Sequence, residues 1–222
     1  DNVGKADQVA AYSFVPLGIP STDGGEFSDK EYYDPQDMES NIEKAKKLLK
    51  EAGYENGEGL PTFELMYNSE GQHKDACQIV QQNLAEVGIN VELTNQEWAV
   101  FLSTRQNGEY QIARHGWIGD YSDPMTFLDM WVTDGGNNDS GFSNSEYDTL
   151  IAEAKIETDL EKREELLRKA EDILMEEAPI MPVYFYTTVM AWNNDVEGIL
   201  VTALGKVYFK NAYKVENRVG GR

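Results

Sequence analysis

The sequence predicts an α/β fold, and three features carry that reading. Phe63, Leu65 and Tyr67 recur at every second position, as do Ile89, Val91 and Leu93, which is the period of a half-buried strand. Between them, 72–87 places apolar residues at helical spacing and stops at Gly88, so strand, helix and strand follow one another as a βαβ unit with a right-handed crossover. Further amphipathic helical segments lie on either side, with no internal repeat and no low-complexity stretch.

In chain order, 1–33 shows little periodicity, and Pro16, Pro20, Gly24 and Gly25 mark it as an irregular opening segment. Its length before any committed element suggests a piece of a longer chain. A first helix is expected with Asp34 as its cap, Pro35 at its first position and Gly53 at its end. Met38, Ile42, Ala45, Leu48, Leu49 and Ala52 form its expected buried stripe. Gly57, Gly59 and Pro61 make a turn into the first strand. In the helix of the βαβ unit, Cys77 shares a face with Val80, Leu84 and Val87, which makes the single cysteine a core thiol and not a nucleophile. A short helix over 97–106, a strand over 110–117 and a helical stretch over 124–131 follow, then a flexible loop over 134–141. Two more helices start after Ser145 and after Asp159. The first turns Tyr147, Leu150, Ile151 and Ala154 inward, and the second Leu166, Leu167, Ala170, Ile173 and Leu174. The charged face over 161–168 is expected to be solvated. A strand over 180–186 precedes a tail with short apolar runs, 199–201 and 207–209.

Composition excludes several function classes. The formal net charge is −21, which repels phosphate backbones, so no nucleic-acid partner is expected. No stretch approaches the ~20 apolar residues of a membrane span. The first ten residues are polar and carry no export signal, so the chain is either cytoplasmic or has lost such a signal. With two histidines, His73 and His115, and one cysteine, a zinc site lacks ligands, and neither a metal nor any other cofactor is expected. Gly57-Glu58-Gly59 lacks the lysine and further glycine of a phosphate cradle, and no GxSxG elbow occurs. No catalytic residue is assigned, and the chain is read as a non-enzyme.

The stretch 113–124, Ala-Arg-His-Gly-Trp-Ile-Gly-Asp-Tyr-Ser-Asp-Pro, is different in kind. It ends a strand with an arginine, a tryptophan, two glycines and an aspartate, at the edge where open α/β sheets bind ligands. The aspartate suits an ammonium group and the arginine a carboxylate. The alternative at this point is structural, with Trp117 in the core, Arg114 solvated and Asp120 capping the turn before Pro124.

This stretch resembles the dipeptide- and oligopeptide-binding proteins of bacterial ABC importers. The likeness extends over 89–93, 95–98, 104–108, 116–121, 126–128, 163–171 and 179–186, in order, and so covers nearly all of the chain. The resemblance implies the second, C-terminal lobe of a type II periplasmic-binding-protein fold, a mixed sheet with flanking helices. It places the peptide-binding lobe at 34–186 and the hinge crossing just after Tyr186, with 187–222 as a tail that returns to a first lobe. It implies that Asp120 accepts the peptide α-amino group. Arg105, Arg114 and His73 serve the C-terminal carboxylate, Trp98 and Trp117 wall the side-chain pockets, and Tyr186 faces the cleft. Departures at Gly119 and Asp123 leave the pocket shape open. Expected partners are a peptide ligand and ABC transporter permease subunits, with the protein a monomer. The expected location is extracytoplasmic, periplasmic or as a lipoprotein at the cell surface, with signal and anchor outside this chain. Alternatives on the same fold are a nickel chelate, haem or oligosaccharide ligand, or peptide-pheromone sensing; a hydrolase is the alternative from another class.

Overall fold

A computed structural model describes residues 8–34, 36–202 and 204–215. In chain order the elements are β1 (Val9–Ala10), α1 (Met38–Glu51), β2 (Phe63–Asn68), α2 (His73–Glu86), β3 (Val91–Gln96), α3 (Trp98–Gln106) and β4 (Ile112–Ala113). There follow α4 (Met125–Leu128), α5 (Ser145–Ile156), α6 (Leu160–Glu177), β5 (Tyr184–Phe185), β6 (Val196–Glu197), β7 (Leu200–Val201), β8 (Val207–Tyr208) and β9 (Tyr213–Lys214). The main sheet has the order β3-β2-β4 and is parallel throughout. Antiparallel pairing forms three two-stranded ribbons, β1-β5, β6-β9 and β7-β8, and an isolated bridge between Pro20 and Glu26. No helix among the described residues is long and apolar enough to cross a membrane.

The βαβ unit forms as the alternation requires. Leu65, Tyr67 and Val91 are buried with Cys77, and Val80 and Leu84 pack against them, so the thiol is a core group. Burial raises the Cys77 thiol above its ordinary value, which keeps it protonated and unreactive. Two glycines close this layer. Gly57 and Gly88 both have positive φ, and a Cβ on Gly57 would lie 1.8 Å from the Gly88 carbonyl oxygen. The turn before β2 and the turn before β3 therefore meet backbone to backbone, where only glycine fits.

A second core lies among α4, α5 and α6. Tyr147, Ile151, Ala154, Leu167, Ala170 and Leu174 are buried there, and Leu150, Leu166 and Ile173 are partly buried against them. This is the stripe the spacing predicts. Val15, Ile19 and Phe27 of the opening segment enter the same core, so that segment is part of the lobe's packing despite its irregular backbone.

Four expectations change. The cap of α1 is Asp37, which accepts the Ser40 N–H at 3.1 Å, while Asp34 forms the preceding turn by accepting the Gln36 N–H; Pro35 lies outside the described residues. Met38 and Leu48 are exposed and no residue of α1 is fully buried, because periodicity specifies a helix but not what covers it. The strands expected over 110–117 and 180–186 shrink to two residues each. Among the described residues each pairs on one side only, β4 with β2 and β5 with β1, and Pro182 has no N–H to contribute.

The fourth concerns α6, whose charged face is a binding surface for the chain's own opening segment. Glu164 accepts the Ser21 hydroxyl and the Thr22 N–H, both at 2.7 Å, and Arg168 donates to Glu164, to the Phe27 carbonyl and to Asp29. Burial works to raise the Glu164 carboxyl, and those hydrogen bonds overcome it and hold Glu164 down at about 2. Glu171 is only 3% exposed and accepts the Phe14 and Val15 N–H groups at 2.9 and 2.8 Å.

Burial pushes Glu171 up to about 7; its two N–H bonds and Arg168 work against this, and Asp172 adds to it. A raised carboxylate stabilises the fold while it keeps its proton, and that contribution is lost as pH climbs through about 7. Relative to Glu171→Gln, the parent chain is expected to lose about 2–3 kcal/mol of stability between pH 5 and pH 8. Urea unfolding at each pH measures this, and the difference curve cancels groups common to both proteins. A flat difference would show that Glu171 ionises normally.

Candidate functional site

The C-terminal edge of β2 and β4 carries the first part of the site. The Arg114 N–H donates to the Met66 carbonyl at 2.8 Å, so the chain leaves the sheet immediately beyond β4. Its guanidinium is held by two neutral oxygens, Asn68 Oδ1 at 3.3 Å and the Tyr186 hydroxyl. No carboxylate stands within ion-pair distance of Arg114 among the described residues. His73, the first residue of α2, lies within its field: burial, then the Arg114 charge, lowers the imidazole below its ordinary value. Tyr186 is 46% exposed and meets Tyr184 edge to face at 5.5 Å. Gly116 leaves the room that this arrangement occupies, since a Cβ there would lie 2.6 Å from the Tyr186 hydroxyl and 3.0 Å from the Arg114 guanidinium.

The second part is the loop that follows. The Trp117 indole N–H donates to the Thr126 carbonyl at 2.8 Å while its ring packs against the helical core. The Asp120 N–H donates to Thr126 Oγ1 at 3.0 Å, and Gly119 is buried so closely on Phe127 that a Cβ would sit 2.7 Å from the ring. The Asp120 side chain is exposed, and its carboxylate takes part in no hydrogen bond or ion pair among the described residues. The turn before α4 is capped by Asp123, which accepts the Met125 N–H at 2.9 Å, so the cap considered for Asp120 belongs to its neighbour three positions on.

Arg105 and Trp98 lie on α3. Arg105 is 9% exposed and donates through Nε to Asp139 at 2.7 Å, and the Tyr110 hydroxyl donates to the Asp139 carbonyl. The loop over 134–141 is thereby tied to α3, and Asn138 closes it from within by donating to the Trp131, Val132 and Phe142 carbonyls. Trp98 is 39% exposed and stacks on Phe101 with centroids 6.0 Å apart. His115 lies against Trp131 at 5.8 Å and is lowered to about 4, first by burial and then by Arg105, so it is neutral at physiological pH.

The structure thus brings together Arg114, His73 and Tyr186, and on the same segment presents Trp117 and Asp120. Six residues of chain limit the separation of Arg114 and Asp120 to about 20 Å. Among the described residues Arg114 is thus a cation without a carboxylate partner, and Asp120 an anion without a cationic one. Sequence reasoning missed Asn68 and Thr126, which orient these groups; the parallel register that sets Met66 beside Ala113 is what places Asn68 within reach of Arg114. Among the described residues no cluster of three or more His, Cys, Asp or Glu side chains could hold a metal.

The sequence matches the profile of the bacterial extracellular solute-binding proteins, family 5 Middle, over residues 1–139. It is 38% identical over 214 residues to the oligopeptide-binding protein OppA of Bacillus subtilis (strain 168), covering 96% of this chain and 39% of that protein. It is 36% identical over 224 residues to the periplasmic oligopeptide-binding protein OppA of Salmonella typhimurium, covering 98% of this chain and 39% of that protein. The crystal structure of Haemophilus influenzae OppA in complex with RPPGFSPFR superposes with a TM-score of 0.79 at 30% identity, over 97% of this chain and 42% of that one. The chain spans about two fifths of the length of the curated relatives it matches.

Proposed function

Because the chain belongs to the bacterial extracellular solute-binding proteins of family 5, we propose that it is one lobe of a two-lobed clamp that captures oligopeptides for an ABC importer. The observation that carries the reading is the pair of uncompensated charges on one segment, the Arg114 guanidinium oriented by neutral oxygens and the open Asp120 carboxylate. Every free peptide supplies the complements, an α-ammonium and a terminal carboxylate. A binder that accepts many sequences must read these shared groups and the main chain, leaving side chains to adaptable, wet pockets. Asp120 takes the ammonium. Arg114, with His73 beside it, takes the carboxylate, and Trp98, Trp117 and Tyr186 wall the cleft. Arg105 is held in its pair with Asp139 and reaches a ligand carboxylate only by exchanging that partner. The clamp acts without catalysis, in the periplasm or anchored at the cell surface, as a monomer that docks on permease subunits. The tail over 187–202 and 204–215, with Trp192 and Phe209 exposed, packs on the other lobe; the rest of the tail expected over 187–222 lies outside the described residues.

The carboxylate of a short peptide and of a longer one fall at different depths. In the two-lobed protein, Arg114→Ala is expected to weaken some peptide lengths roughly tenfold, about 1.4 kcal/mol, and to spare others. Calorimetric titration with di- to pentapeptides reads this, and mass spectrometry of the recovered peptides shows whether they stay intact. Equal losses at every length, or cleaved peptide, would count against the proposal.

A further inference from the structure

Two aspartates flank the tyrosine and serine of the site loop, and they have opposite surroundings. Asp120 is exposed and its carboxylate is unpartnered among the described residues, whereas Asp123 is gripped from α6 by Arg163, with Nη1 donating to Oδ2 and Nη2 to Oδ1, both at 2.8 Å. This is a parallel two-bond fork, the geometry in which an arginine fixes a carboxylate's orientation as well as its place. Arg163 and Asp123 have side-chain exposures of 23% and 30%, so solvent screens the pair only in part. Asp123 Oδ1 also accepts the Met125 N–H, which joins the fork to the start of α4. Thr126, one residue further, holds the Asp120 N–H and the Trp117 indole. The loop is therefore pinned at two points around Asp120, one on α4 and one on α6, forty positions away in sequence.

We propose that Arg163 is a positioning residue for ligand binding: without touching the ligand, it fixes through Asp123 the loop that presents the Asp120 carboxylate. This rests on the reading of Asp120 as acceptor of a peptide ammonium. An open carboxylate on a loose loop would lose orientational freedom on meeting its partner, and a loop held beforehand avoids that loss. The fork also neutralises Asp123, so that the negative charge the loop offers is concentrated on Asp120.

The test uses this 222-residue chain, with NMR titration to millimolar tripeptide, free and N-acetylated. The parent chain is expected to favour the free form by about two- to fivefold, the range of a solvated ion pair. Arg163→Gln is expected to bring that ratio to about one while leaving affinity for the acetylated peptide within twofold. Arg163→Lys keeps the charge but not the fork, and is expected to lose the ratio as well. Asp123→Asn is expected to do the same, with no further loss in the double variant, since both act through one contact. A lower melting temperature with the ratio intact in all three variants would make the fork merely structural and overturn the inference. A parent chain with no preference would overturn the reading of Asp120, and this inference with it, before any substitution is examined.

Discussion

Truncation of Tyr147 to alanine is expected to lower the free energy of unfolding by about 3–5 kcal/mol, the range for emptying a large aromatic site in a packed core. Tyr147 is fully buried, its ring meets Phe142 edge to face at 5.5 Å, and its hydroxyl donates to the Leu128 carbonyl at 2.5 Å. Its loss leaves a cavity and an unpaired carbonyl at the end of α4. Tyr147→Phe removes only the hydrogen bond and is expected to cost about 1–2 kcal/mol. Urea unfolding followed by circular dichroism separates the two; an alanine variant within 1 kcal/mol of the parent would mean that the helical core is not built around this ring. Because α4 carries Thr126 and Phe127, the alanine variant should also broaden the NMR signals of Trp117 and Gly119.

Asp120→Asn is expected to have the largest effect on binding. It keeps the shape and one acceptor oxygen and removes only the charge. Where a second lobe closes over the ligand, the ammonium it faced is left desolvated without a counter-charge, and such losses run to about 1.5–3 kcal/mol, roughly ten- to a hundredfold in affinity. N-acetylated peptides lack the ammonium, so they should bind the parent weakly and be changed little by the substitution. Calorimetry on both proteins with both ligands completes a cycle whose coupling term is the interaction itself. Equal losses for free and acetylated peptides would sink the assignment.

What the sequence made legible is local. The period-two strands β2 and β3, the helix between them with Cys77 turned inward, and the buried faces of α5 and α6 follow from patterns within a dozen residues. What it hid lies in long-range pairing. Arg105 finds Asp139 across 34 positions, and Glu171 collects N–H groups from residues more than 150 positions earlier. Charged residues on α6 look solvated because periodicity reports which face is polar and not what lies on it. The site shows the same division. Asp120 and Asp123 are equivalent in the sequence, and only the Arg163 fork distinguishes the aspartate committed to the fold from the one left open.

The ribbon of β1 and β5 sets Val9 beside Phe185, 176 positions apart. The two ends of this stretch therefore lie side by side, as a narrow neck. A body tethered at two distant points resists turning, whereas one tethered at a single narrow neck can swing as a unit with both of its cores undisturbed. The same neck makes the stretch from 9 to 185 portable: like an inserted domain whose ends lie together, it could be spliced into a host loop without stretching the host.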